Sequence, residues 1–207
     1  SQNYIGRVGD TYNFLTDEEQ EIQTDISKTN IDTSSIVERI AHIIFGDIYT
    51  SKKFRYENTY DFAFDQMVDG ITVGVPTGGM RLRFLTIAAE PSEKSDLSLM
   101  ANSGGEAVVV LDENQYYENI ERELKIRTYV KRKNVNQMPD SIKAIIQAQL
   151  AEADTYSKNA VDGLISANEN GVFYVDGEKL SVKGNYKNKI EQALEYLVAN
   201  VYSELNL

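Results

Sequence analysis

The chain of 207 residues has no cysteine, no tryptophan, one histidine and only three prolines. Without cysteine there are no disulfides, no thiolate nucleophiles and no cysteine metal sites. A lone histidine, His42, cannot supply a two-histidine metal site or a histidine relay. Positive charge is also scarce: 21 lysines and arginines face 32 acids, a net charge of −11. Phosphate backbones and anionic membranes are repelled on average, which leaves room only for a local basic patch. No apolar run approaches the roughly 18 residues of a membrane span, and no charged-then-apolar leader opens the chain. The sequence starts at Ser1 rather than methionine and stops just after an amphipathic pattern. That leads to the expectation of a segment from a longer polypeptide.

What is present suits a soluble acidic α+β protein, with 42% hydrophobic residues to build one large domain or two small ones. Val8, Tyr12, Phe14 and Leu15 make a strand-like opening, and Thr16 starts a helix. Glu19 lies three positions on to complete a capping box, and the acids Asp17, Glu18 and Glu19 complement the helix dipole. Ile36, Val37, Ile40, Ile43 and Ile44 share one face of a second helix, expected over 34–45 with Gly46 as its stop. His42 projects away from that stripe and reads as exposed.

From 47 to 112 strand signals take over. Lys53–Tyr56 and Tyr60–Phe64 alternate, and Ile71–Val75 and Leu82–Ala88 flank Pro76-Thr77-Gly78-Gly79. The latter two runs are expected to form a hairpin or a neighbouring strand pair. Ala107–Leu111 is a continuous apolar run and should be a buried strand. Helices are expected over 115–133, 140–168 and 186–205, with Asp176-Gly177 as the turn of a hairpin over 172–182.

The fold class that follows is α+β: a mixed, largely antiparallel sheet with helices on one face, then a helical portion carrying a β-hairpin. Residues 1–112 hold 9 basic and 18 acidic groups, and residues 113–207 hold 12 and 14. A soft boundary near 113 would separate a strand-rich region 1–112 from a mainly helical region 113–207, although one domain also fits.

No catalytic, cofactor-binding or metal-ligating set emerges. GVPTGGMRLR has neither the Gly-Lys-Ser/Thr ending of a P-loop nor the spaced glycines of a dinucleotide loop. Asp61, Asp65 and Asp69 recur every four residues but lack the glycine and closing glutamate of an EF-hand. The one uneven charge pattern is on the 115–133 helix. Arg122, Lys125, Tyr129, Arg132 and Lys133 fall on one arc of about 100°, beside a buried stripe expected at Tyr117, Ile120, Leu124 and Thr128. This arc is the candidate interaction surface. Glu118 and Glu121 are spaced for i,i+4 pairs with Arg122 and Lys125, which would make it an ordinary solvated face.

The opening Arg7-Val8-Gly9-Asp10-Thr11-Tyr12-Asn13-Phe14-Leu15-Thr16-Asp17-Glu18-Glu19-Gln20 resembles the GD-x-Y-x-FLT-x-EE core of the BrxC/PglY family, large P-loop ATPases of bacteriophage-exclusion (BREX) systems. Weaker echoes are Leu99-Met100 before a loop, an apolar strand, an acid and a long helix, and the closing order of long helix, hairpin and amphipathic helix. The chain lacks the Walker A motif, so no nucleotide-binding residue carries over. The resemblance implies a cytoplasmic bacterial anti-phage system, with ATP bound elsewhere in the parent protein and no cofactor in this segment.

The function this implies is a non-catalytic accessory region, packing against the rest of the parent ATPase, assembling with itself or docking other BREX components. One alternative is a DNA-contacting module using the arc 122–133, with DNA the less favoured partner. Another is a small-molecule enzyme whose pocket lies between loops 74–81 and 102–105. No membrane partner is expected.

Overall fold

The computed structural model describes residues 2–8 and 11–202, with side chains described from 16 to 201. Gly9 and Asp10 of the opening motif, and 203–205 of the last expected helix, lie outside the described residues. A hairpin of β1 (Gln2–Val8) and β2 (Thr11–Thr16) runs directly into α1 (Asp17–Ser27). Thr16 caps α1 as expected, its hydroxyl accepting from the Glu19 N–H at 3.1 Å.

Next comes α2 (Thr33–Ile43), which does not stop at Gly46. It widens into a π-turn, Ile44–Ile48, closed by the Tyr49 N–H on the Ile44 carbonyl at 2.7 Å. The extra residue per turn lets Ile44, Phe45, Ile48 and Tyr49 all face the core. A hairpin follows, β3 (Lys53–Tyr56) and β4 (Tyr60–Ala63), then β5 (Asp65–Val68), β6 (Ile71–Val73) and β7 (Arg81–Leu85). Two short helices, α3 (Pro91–Lys94) and α4 (Asp96–Asn102), precede β8 (Glu106–Val110). The chain ends with α5 (Gln115–Arg132), α6 (Asp140–Glu169), β9 (Val172–Val175), β10 (Glu178–Leu180) and α7 (Tyr186–Leu197), which continues as a second π-turn over Val198–Tyr202.

Contacts divide the chain into two compact units. The first comprises Ser1–Asp32 and Glu118–Lys158, the second Thr33–Tyr117 and Asn159–Leu207. In the first unit Ile22 and Ile26 of α1 meet Ile126 of α5 and Ala153 of α6, with Tyr129, Ile142 and Leu150 packed around them. Of the stripe expected on α5, Ile120 is buried and the rest is not. Tyr117, Leu124 and Thr128 are only half-buried, while Ile126 is buried and so is Glu123. Glu123 tolerates this because Arg127 Nε lies 2.8 Å away, and Arg127 also reaches Asp154 at 2.8 Å.

The second unit is built on a six-stranded mixed sheet in the order β10-β9-β8-β7-β5-β6. β5, β7 and β8 are parallel, and β6, β9 and β10 add on antiparallel. β6 and β7 are therefore not partners, because β5 lies between them. β5 turns into β6 through Asp69-Gly70, with Asp69 at φ 51°. The expected hairpin at 172–182 forms, and it joins this sheet through β9 against β8. β8 is buried along its whole length between parallel β7 and antiparallel β9, as the apolar run Ala107–Leu111 predicts. Leu99 of α4 packs with Leu85, Val108, Val110 and Tyr174, and Phe45 meets Phe84 edge-on at 5.5 Å.

Candidate functional site

The structure divides the five-residue arc between two depressions in the first unit. Arg122 and Lys125 line a cleft of about 400 Å³ together with Gln23, Gln149 and Glu152. Both cations are engaged there. Lys125 Nζ donates to the Ser27 carbonyl at 2.8 Å, capping the C-terminal end of α1, and the Arg122 guanidinium lies 5.8 Å from the centre of the Tyr156 ring. The geometry replaces a helix face paired within itself by one that holds its neighbours.

Tyr129, Arg132 and Lys133 line the second depression, of about 520 Å³, with Asp25, Lys28 and Asn30. Lys133 Nζ sits 5.1 Å from the Tyr129 ring centre. Burial, then the charges of Asp25 and Glu21, push the Tyr129 hydroxyl above its ordinary value. Among the described residues no carboxylate pairs with Lys28, Arg132 or Lys133. Lys28 belongs to this group but escapes sequence reasoning. It ends α1, and nothing in the pattern says that α1 and the end of α5 meet.

Four acids of the second unit, Asp61, Asp65, Asp69 and Glu106, serve the fold. Asp65 accepts from the Thr77 N–H at 2.7 Å, the Thr77 hydroxyl at 2.8 Å and the Gly78 N–H at 3.0 Å. Burial alone would raise its pKa, but these hydrogen bonds and the charge of Arg81 hold the carboxyl below its usual range. Asp69 grips Thr86 in the same way, and Asp61 pairs with Arg55 at 3.1 Å. The four-residue recurrence of aspartates thus marks two turn clamps and a cross-strand ion pair. Glu106, buried at the start of β8, is held by Arg81 at 2.5 Å and Arg83 at 3.1 Å. The register places Asp65, Arg81 and Glu106 side by side across three strands.

His42 is exposed, as its place on α2 predicts. The cleft lined by Gly74, Val75 and Thr77 contains no residue of 102–105, because Gly105 and Ser103 are tied instead to Asp176 and Gly177. No group of three or more His, Asp or Glu among the described residues is placed to hold a metal ion. No described helix is long and apolar enough to cross a membrane.

A family model described as "BREX ATP-binding protein BrxC 4th domain with six-stranded beta sheet" matches residues 29–197. The matched span takes in the entire six-stranded sheet and starts after the opening motif at 7–20. No solved structure matches the chain.

Proposed function

We propose, from the premise that the chain belongs to the BREX BrxC fourth-domain family, that it is a non-catalytic docking domain for the other domains of its ATP-binding parent. The observation that carries this is on α4, where Leu97 is 83% and Met100 51% exposed at helical i,i+3 spacing. In keeping with this reading, Asp65, Asp69 and Glu106 of the sheet are committed internally, to Thr77, Thr86 and the two arginines of β7. A photo-crosslinker at position 97 of the intact parent should capture another segment of that same polypeptide. Failure to capture one, with restriction unimpaired by Leu97→Asp, would count against docking through α4.

A second reading is favoured by Lys28, which joins Arg132 and Lys133 around one depression where Asp25 is the one acid in the lining and, among the described residues, no carboxylate forms an ion pair with any of the three. Such a cluster on an acidic chain fits contact with a nucleic-acid backbone. Duplex binding that weakens with salt, and whose salt dependence shrinks on Arg132→Glu and Lys133→Glu, supports it. Absence of binding at low salt removes it.

A further inference from the structure

The second unit carries a cleft of about 440 Å³ between the end of α2, the approach to β3, and the β5–β6 edge of the sheet. Gln66 of β5 lines it and is only 8% exposed. Its side-chain Nε2 is buried and has no hydrogen-bond partner. A leucine or methionine would fill this strand position without leaving an amide unmatched, so the glutamine is a cost to the fold alone. Asp65 also lines the cleft, but its oxygens accept from Thr77 and Gly78 and not from the Gln66 amide. Phe45 and Val75, the latter 91% exposed, supply apolar parts of the lining, alongside His42 and Thr77. Lys52 and Lys53 also line the cleft, and no carboxylate among the described residues pairs with either.

The geometry points to a binding site for a carboxylate on a short apolar stem, its oxygens accepting from Gln66 Nε2 beside Lys52 and Lys53 and its stem against Phe45 and Val75. A free small acid and the glutamate side chain of a peptide present the same chemistry. Both apolar wall and cationic group are needed, since either alone would leave one part of the cleft unmatched. This site is independent of the α5 arc and of α4, so its failure leaves the docking proposal standing.

The test uses the full chain, isotope-labelled, with the Gln66 side-chain amide and the Val73–Val75 backbone amides followed by NMR. The probes are sodium hexanoate, an acetylated and amidated Leu-Leu-Glu-Leu peptide, and hexanol. Saturable shifts from hexanoate or the peptide at about millimolar concentration, with none from hexanol, are expected. Whichever probe binds more tightly identifies the source. Gln66→Leu should abolish the shifts at Val73–Val75 while melting no lower than the parent chain. Lys52→Gln with Lys53→Gln should weaken binding by roughly tenfold. Equal shifts from hexanol would reduce the cleft to an apolar crevice, and no shift from any probe would overturn the site. A lower melting temperature for Gln66→Leu would overturn it too, by showing that the amide serves the fold.

Discussion

Asp69 holds Thr86 by two hydrogen bonds, 2.8 Å from its N–H and 2.6 Å from its hydroxyl, and so ties the end of β5 to the end of β7. Asp65 does the same for Thr77 from the other end of β5. A single four-residue strand thereby fixes the loop after β6 and the exit of β7.

Asp65→Asn should destabilise the chain by about 1–3 kcal/mol, since an acceptor of three bonds becomes in part a donor. Because the native carboxyl lies below its ordinary pKa of 3.8, its stabilisation is complete above that value. It is lost as pH falls through the lower native value. Urea unfolding at pH 7 and near pH 3 should show a smaller acid loss in the variant than in the parent.

Gly177→Ala should cost about 1–3 kcal/mol or more, read as a fall in melting temperature. Gly177 has φ 82°, and an added Cβ would lie 2.9 Å from the Met100 carbonyl oxygen. Gly70→Ala is the control. It has open space and no positive φ, so it should be neutral or slightly stabilising.

Arg127→Ala should destabilise the chain by up to about 3–5 kcal/mol, by removing the guanidinium 2.8 Å from the buried Glu123 carboxylate. Glu123→Leu combined with Arg127→Leu should recover most of that loss. A double-mutant cycle that shows no recovery would mean the pair is needed for more than its own neutralisation.

Lys125→Ala should lose about 0.3–1 kcal/mol with its bond to the Ser27 carbonyl. Arg132→Gln should change stability by less than about 0.5 kcal/mol, because it is exposed and has no carboxylate partner among the described residues, whereas Lys133→Gln should lose about 0.5–1 kcal/mol with its contact to the Tyr129 ring. Thermal melts of the three variants would separate the structural part of the arc from the part available to a partner.

The sequence carried the long elements and lost the short or polar ones. Helices α5, α6 and α7 announce themselves by apolar spacing, and Asp176-Gly177 marks its hairpin by turn chemistry. Asp69-Gly70 offers the same dipeptide, yet β5 begins with Asp65 and Gln66, whose burial depends on partners far along the chain. With β5 unread, β6 and β7 looked adjacent. α4 spans only seven residues, too few for periodicity to show, although Ser95 accepts from the Ser98 N–H as an ordinary N-cap. The helical wheel identified the residues of the arc but not what faces them, because Ser27, Lys28 and Tyr156 come from helices about 30 to 100 positions away.

Parallel strands buried on both faces are rich in valine and leucine, and a run such as Ala107–Leu111 looks much the same after a slip of one or two places. The row of Asp65, Arg81 and Glu106 removes that ambiguity. Negative, positive and negative groups stand in line, and a slip of one place would set an aliphatic residue such as Leu82 against a buried carboxylate. The charges at the mouth of the sheet thus act as an alignment code for the strands behind them, and a sheet neutralised at these positions would keep its hydrophobicity while losing its address.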